Sequence, residues 1–345
     1  MKALHVDSVI EDLRRYSRAV DEGARATERY SVELALEIEE LNRGATGPDL
    51  SLEAMDAGYT RLRGDSGFEL LKKAEILGTG AFLGLASECP RVALTPDVMR
   101  QLKTYEGIKP AMMRMYDEVE NIDGVFLFDT ERNILMFRSE YRLEDRFDAP
   151  GVDLATVHDL GIIFYDWFKI VDKEDNPDRR ARWSPMAFVA VEHDWIMNLS
   201  APIYRDRYGE DEKMIGVVAV HFNLDWMVDN TIEKSAVKMM IVKDDSTLIG
   251  LNSAAKQGVE LETFDKKRFV SMNGLDPRTT QEKKKFVYET LSLEHEKSED
   301  VVSFALKLKS EFRFRHTLFG KPYTVVRERA PELGLNFIAL LDDHR

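Results

Sequence analysis

Aromatic and basic side chains concentrate between residues 165 and 221, in a mixture that is typical of a small-molecule pocket. Such pockets are mostly apolar and carry a few convergent polar groups. The candidate ligand contacts are Tyr165, Trp167, Arg182, Trp183, Phe188, Trp195, Met197 and His221. An arginine fork can hold a carboxylate or phosphate through two parallel hydrogen bonds, which strengthen where aromatic walls exclude water. We therefore predict a binding site, with Arg182 beside Trp183 as its anchor.

Each of these residues also has a purely structural interpretation. Aromatic residues on strands more often belong to the core, and a strand histidine is more often a hydrogen-bonded core residue than a ligand contact. Arg179 and Arg180 follow Asn-Pro-Asp, which indicates a solvated turn. Trp195 and Met197 share one face of a strand because side chains alternate with a two-residue period, and we predict that this face lines the pocket.

The patterns that would indicate an enzyme are weak. The glycines of the segment Gly78 to Gly84 resemble a nucleotide-binding pattern, but no strand precedes them and the surrounding pattern is helical. The 7 histidines show no metal-binding spacing, and no nucleophile elbow occurs. We predict no catalytic residue, no metal and no cofactor. Cys89 is the only cysteine, which excludes an intrachain disulfide.

The pattern of the first third of the chain indicates helices. Val9, Leu13, Leu34 and Ile38 belong to an apolar stripe with three- and four-residue steps, which predicts a long amphipathic helix from about residue 5 to 43. Further helical patterns begin at Ser51 and cover roughly residues 67–88 and 95–120. The first third is therefore expected to be almost wholly α-helical.

From residue 122 onward the pattern changes to strands. Residues 122–129 and 134–137 predict one β-hairpin, and residues 194–204 and 214–222 predict a second. A short helix at 223–229 is followed by a smaller set of strand patterns at 237–242, 248–251, 301–308, 312–319, 322–327 and 335–341. The fold class is therefore α+β, with two units in tandem that are mostly antiparallel sheet.

Composition restricts the partners. The net charge of −14 would repel nucleic acid and anionic lipid, so small molecules and proteins are the expected partners. The start of the chain lacks the apolar run of a signal peptide, and no run of about 18 apolar residues occurs. Taken literally, this pattern predicts a cytoplasmic protein. The alternative is an excised soluble fragment whose flanking membrane helices have been removed, with Met1 added.

An ordered set of motifs between Tyr165 and Leu224 resembles the membrane-distal module of double Cache (dCache) sensors. The motifs are Tyr165-Asp-Trp-Phe, the proline- and arginine-bearing segment 176–185, the loop aromatic Phe188, the strand that ends in Pro202-Ile-Tyr, and Gly216-Val-Val with the strand and short helix after it. The long first helix and the smaller second unit match this family as well. The resemblance thus covers nearly the whole chain.

This resemblance implies an architecture and a location. A long helix and connector (1–60) would rise from the membrane, a distal PAS-like domain (61–224) would bind the ligand, and a proximal PAS-like domain (225–345) would lead into a second membrane helix. The chain would then be the extracytoplasmic, periplasmic part of an inner-membrane receptor with a histidine kinase, chemoreceptor or cyclase output, and a homodimer through its first helix. A cytoplasmic scaffold that binds no ligand, or an unrecognised enzyme, is the alternative.

The resemblance also bears on the ligand. In the amino-acid-binding branch of this family, one aspartate follows the loop aromatic by two residues and a second follows the Gly-Val-Val strand. These positions are Ala190 and His221 in this chain. Without the two carboxylates a buried ammonium group has no expected partner. We therefore predict an organic anion rather than an amino acid, with an uncharged apolar ligand as the fallback.

Overall fold

The computed structural model describes residues 2–43, 59–63, 69–73, 82–85, 107–108, 110–129, 134–139, 166–189, 194–209, 212–257, 292–295 and 298–343. The chain divides into two compact units. The central unit consists of Ala26–Ala187 and Ile196–Phe222, and the C-terminal unit consists of Met1–Arg25, Phe188–Trp195 and Asn223–Arg345. The boundaries predicted at residues 60 and 224 remain predictions.

The first element is the helix α1, Lys2–Arg43, which confirms the predicted long amphipathic helix. Its apolar stripe is buried, with Leu13, Val20, Leu34 and Ile38 almost inaccessible to solvent. Burial of one apolar stripe accounts for the stability of so long a helix better than intrinsic propensity does. None of the described helices combines the length and the apolar character that crossing a bilayer requires.

The helical prediction for residues 67–88 is wrong wherever this region is described. Strands β1, Tyr59–Arg63, and β2, Glu69–Lys73, pair antiparallel, and β3, Phe82–Leu85, pairs with β2. Pairing with neighbouring strands satisfies their backbone groups and overrides the local helical pattern. The predicted helix at 95–120 is confirmed in α2, residues 110–118. Ser51 and Cys89 lie outside the described residues.

Both predicted hairpins are present in a large antiparallel sheet. Strands β4, Ile122–Asp129, and β5, Ile134–Ser139, form the first hairpin, and β8, Asp194–Tyr204, and β9, Met214–Asn223, form the second. The short strands β6, Arg182–Trp183, and β7, Ala187–Val189, both pair with β8. Nine described strands follow the order β1-β2-β3-β5-β4-β9-β8-β6, with β7 also on β8.

The two hairpins meet along β4 and β9. This antiparallel pairing runs from Gly124 opposite His221 to Asp129 opposite Gly216, with an irregularity between Ile122 and Gly124. Gly216 is required by this close approach, because a Cβ there would lie 2.4 Å from the backbone oxygen of Phe128. The glycine of the Gly-Val-Val motif therefore serves the sheet itself.

A smaller antiparallel sheet lies in the C-terminal unit. Its described strands follow the order β11-β10-β14-β13-β12. They are β10, Lys238–Lys243, β11, Leu248–Leu251, β12, Arg313–Leu318, β13, Lys321–Ala330, and β14, Leu335–Asp342. The predicted short helix is α4, Leu224–Thr231, and α3, Asp166–Lys169, precedes it in the chain. These observations confirm the α+β class.

Residues 301–308, predicted as a strand, belong to the helix α6, Glu299–Ser310. Its buried residues follow helical spacing, at Val301, Phe304, Ala305 and Leu308. The first turn is acidic and the last is basic, which complements the helix dipole. The apolar run is therefore one face of a helix, which packs on the core of the small sheet.

Asn252 holds the start of the short helix α5, Ser253–Lys256, to the small sheet. It is fully buried. Its amide nitrogen donates to the carbonyls of Ile232, Ser235 and Val237, and its oxygen accepts from the backbone N–H groups of Met239 and Ala255. A single side chain therefore bonds to five backbone groups, with its two N–H hydrogens shared among three carbonyls.

Replacing Asn252 by alanine should destabilise the protein by about 3 kcal/mol, because buried backbone groups would lose their partners. The measurement is the free energy of unfolding from urea denaturation. The control is Asn230→Ala at an exposed position of α4, which should change that free energy by less than about 0.5 kcal/mol. Equal effects of the two substitutions would contradict the role given to Asn252.

Candidate functional site

One face of the large sheet carries an aromatic cluster in the central unit. Phe126 and Phe128 of β4 stand opposite Ala219 and Val217 of β9. The α3 segment covers them. We call this cluster the aromatic face, and it consists of Phe126, Phe128, Trp167, Phe168, Val171, Val217 and Ala219. Trp167 and Phe126 are only partly buried, so the cluster includes ring surface that is not fully packed.

His221 extends the aromatic face with a polar group. It stands opposite Gly124, and the two-residue period of β9 places it on the same side as Ala219. Its ring centroid lies 4.3 Å from that of Phe126. A Cβ at position 124 would lie 2.5 Å from the Phe126 ring, so Gly124 allows this ring to lie beside the histidine.

A buried carboxylate lies next to His221. Asp123 is 1% exposed, and its Oδ1 is 3.7 Å from Nδ1 of His221. Asp123 occupies the irregularity at the end of the β4–β9 pairing. At this distance the two groups form an ion pair when the imidazole is protonated. Asp123 could not be predicted as a site residue, because nothing in the sequence indicates that the irregularity turns it toward His221.

Arg182 and Trp183 lie on opposite faces of β6, because neighbouring residues of a strand alternate. Arg182 stands opposite Ser200 and Trp183 opposite Leu199. The Trp183 ring contacts that of Phe222 edge-on, at 5.8 Å between centroids. The structure thus does not bring the two proposed anchor residues to one face.

The guanidinium of Arg182 already has protein partners. Its Nε donates to Oδ1 of Asn176 and its Nη2 to Oδ2 of Asp178, both at 3.0 Å. Its side chain is 43% exposed. An anion that binds Arg182 would have to use the remaining N–H groups or displace Asp178.

The other predicted ligand contacts do not lie together in one place. Trp167 lies on the aromatic face, whereas Met197 is buried on the same face of β8 as Leu199. Trp195 is buried, and its backbone N–H donates to Oδ2 of Asp225 within the C-terminal unit. Phe188 belongs to β7. Tyr165 lies outside the described residues.

A buried ion pair connects α1 with the loop of the second hairpin. Glu39 is 1% exposed, and Nε of Arg207 is 3.1 Å from both of its carboxylate oxygens. Glu39 also accepts the backbone N–H of Tyr204 at 2.8 Å. Arg207 further donates to the carbonyls of Pro202 and Arg179, and lies over the ring of Tyr204. No local sequence pattern indicates this pair, because its members are 168 residues apart.

A second ion pair lies beside the first. Glu212 accepts hydrogen bonds from Arg179 and from Nζ of Lys173, the latter at 3.2 Å. The hydrogen bond from Arg179, with that from Lys173, lowers the pKa of Glu212 from 4.5 to about 2. Arg179 also stacks on the ring of Tyr208 and has a positive φ of 57°. The turn expected at Arg179 is therefore present, and ion pairs hold it.

The described part of the chain contains a further concavity and no metal-binding cluster. No group of three or more His, Cys, Asp or Glu residues there is arranged to hold a metal ion. A surface concavity lies along α1 and is lined by Glu11, Arg15, Arg18, Ala19 and Glu22. It is formed by one exposed helix face and is not the site that the sequence predicts.

The Glu212 carboxylate should make stability depend on pH. Because its pKa is lower in the folded than in the unfolded protein, its stabilising effect is complete above about pH 4.5 and is lost as the pH falls toward about 2. Glu212→Gln should therefore reduce the slope of unfolding free energy against pH in this window. Glu299→Gln, at an exposed position of α6, is the control. An unchanged slope in the Glu212 variant would contradict the assignment.

No family model matches this sequence, and no curated protein matches it. Solved structures do match. The periplasmic sensory domain of the Campylobacter jejuni chemoreceptor Tlp1 is 6% identical, with a TM-score of 0.53 over 98% of this chain and 94% of that chain. The ligand-binding domain of C. jejuni chemoreceptor Tlp3 in complex with L-valine is 11% identical, with a TM-score of 0.48 over 99% and 94%.

The likeness to the Tlp1 domain extends over almost the whole of both chains. At 6% identity it concerns the fold alone. The fold that the dCache resemblance implied is therefore confirmed: this chain has the fold of a chemoreceptor's periplasmic sensory domain.

Proposed function

We propose that this chain is the ligand-sensing region of a bacterial membrane receptor, located outside the cytoplasm. The observation that carries the proposal is the likeness to a periplasmic chemoreceptor sensory domain over 98% of the chain. The net charge of −14 agrees with small molecules rather than nucleic acid as partners. Dimerisation through α1 and a kinase, cyclase or chemotaxis output belong to the same proposal.

The proposed ligand site is the aromatic face together with His221. Partly buried rings offer an apolar wall, and His221 with Asp123 offers a polar end. This combination of a wide apolar surface and a few polar groups is what small-molecule sites share. Trp167 and His221, both predicted from the sequence, belong to this site.

An organic anion remains our first candidate for the ligand. The imidazole of His221 can donate a hydrogen bond to a ligand carboxylate, and the surrounding rings would strengthen that bond by excluding water. Arg182 supports this candidate less than the sequence suggested, because Asn176 and Asp178 use two of its donors.

A ligand with an ammonium group is the second candidate, and Asp123 is the observation that favours it. Amino acids were disfavoured as ligands because positions 190 and 221 carry no carboxylates. Asp123 supplies a buried carboxylate next to His221. A ligand cation at this place would have the partner that the sequence did not reveal.

A thermal-shift screen of carboxylates, amines, sugars and purines tests the proposed function. A ligand present at 100 times its Kd stabilises the folded state by about 2.7 kcal/mol, which raises the melting temperature measurably. Stabilisation by carboxylates alone would support the first candidate, and by amines alone the second. If no compound raises the melting temperature and none copurifies with the protein, the scaffold alternative is favoured.

Substitutions then test the site. Trp167→Ala and His221→Gln should each weaken binding of the compounds that stabilise the wild type by about tenfold or more, corresponding to about 1.4 kcal/mol. Calorimetry measures the Kd. The matched controls are Trp226→Ala and His316→Gln in the C-terminal unit, which should leave it unchanged. Arg182→Ala decides whether Arg182 is an anchor: an unchanged Kd would exclude it.

A further inference from the structure

Glu39 and Arg207 are not part of the proposed ligand site. They form the buried ion pair with the most hydrogen bonds among the described residues. Bringing such charges out of water is costly unless each finds full compensation. Glu39 accepts from Arg207 and from the Tyr204 backbone, and Arg207 additionally donates to two backbone carbonyls. Every partner of this pair lies in the central unit. The pair therefore fixes one geometry among three separate pieces of chain.

The third piece is the segment 172–182, which Arg207 reaches through Nη1 at 2.9 Å from the carbonyl oxygen of Arg179. Inside this segment Asn176 is fully buried and donates to the carbonyl of Arg180. Asn176 also accepts from Nε of Arg182. The backbone N–H of Arg179 bonds to the carbonyl of Asn176, which closes the turn. The segment is thus one connected hydrogen-bonded unit.

The segment 172–182 follows one part of the proposed site in the chain. Trp167 and Phe168 on the aromatic face directly precede it. A ligand that moved these two rings would therefore pull on the segment from its N-terminal end. Its attachments to the rest of the unit include Glu212, through Arg179 and Lys173, and Arg207.

We propose that the Glu39–Arg207 pair is the coupling by which the segment 172–182 and the helix α1 move together. Arg207 bonds to α1 through Glu39 and to the segment through the carbonyl of Arg179, so displacement of one strains the hydrogen bonds of the other. A buried pair of this kind has few alternative geometries, which suits a two-state element. Its role in signalling rests on the proposed sensor function, but the mechanical coupling does not.

Hydrogen exchange followed by mass spectrometry on the full chain tests the coupling without any ligand. In Glu39→Gln the peptides that cover 172–182 should exchange about five to ten times faster, because Arg207 loses its charge partner and holds the segment less firmly. Glu39 has no hydrogen bond to this segment among the described contacts, so the effect must pass through its partners Arg207 and Tyr204. The control is Glu40→Gln on the exposed side of the same helix.

A double substitution covers the case in which Glu39→Gln unfolds. Glu39→Met with Arg207→Met removes both charges, and replacing a buried pair by apolar residues is often tolerated. In this double variant the peptides that cover 172–182 should also exchange faster than in the wild type. Its melting temperature should remain close to that of the wild type. Conversely, Asn176→Ala inside the segment should accelerate exchange in residues 34–43 of α1, whereas Glu174→Gln, exposed in the same segment, should not.

Two results would overturn the coupling. One is faster exchange confined to α1 and Tyr204 in the Glu39 variant, and the other is unchanged exchange of 172–182 in the double variant. Neither result depends on the ligand screen. If the protein binds no small molecule but shows this exchange pattern, the coupling is supported and its sensory role is contradicted. If the protein binds a ligand at the aromatic face but does not show this exchange pattern, the proposed function is supported and the coupling is contradicted.

Discussion

The pairing of β4 with β9 is the constraint on which the rest of the central unit depends. It joins two strands whose paired residues are about 90 positions apart in sequence, and its cost in loop-closure entropy is offset by buried strands on both sides. Gly216 permits the close backbone approach. Because the register is fixed, Phe126 and Phe128 face the same side as Ala219 and His221, and a slip of one residue would reverse that side.

Charge is used differently in the two units. In the central unit, Glu39 is buried and satisfied by Arg207 and a backbone amide, which connects the long helix with a hairpin loop. In the C-terminal unit, Arg14 and Arg25 of α1 reach Glu328 and Glu332 at more exposed positions. Exposed pairs contribute little to stability, whereas a buried pair fixes geometry. The central unit thus has the more restrictive attachment to α1.

Residue types alone predicted only part of the proposed site. His221 and Trp167 were predicted as contacts and lie on the aromatic face. Arg182 and Trp183 were predicted as a pair, but strand alternation separates their side chains. Asp123 was not predicted at all, because an irregularity in pairing decides where it lies. The expected ligand changes for the same reason, because Asp123 provides a carboxylate for a cationic ligand that the sequence pattern did not indicate.

The sequence alone determined the long amphipathic helix, both hairpins of the large sheet and the strands around residues 240 and 338, because each has a strong local period. Tertiary structure decided the rest. Residues 69–73 and 82–85 became strands through pairing, and residues 299–310 became a helix through packing on the small sheet. Residues 39 and 207 have no local pattern that could reveal their ion pair. Local patterns report which face of an element is apolar, whereas partners distant in sequence are chosen only when the folded chain brings them together.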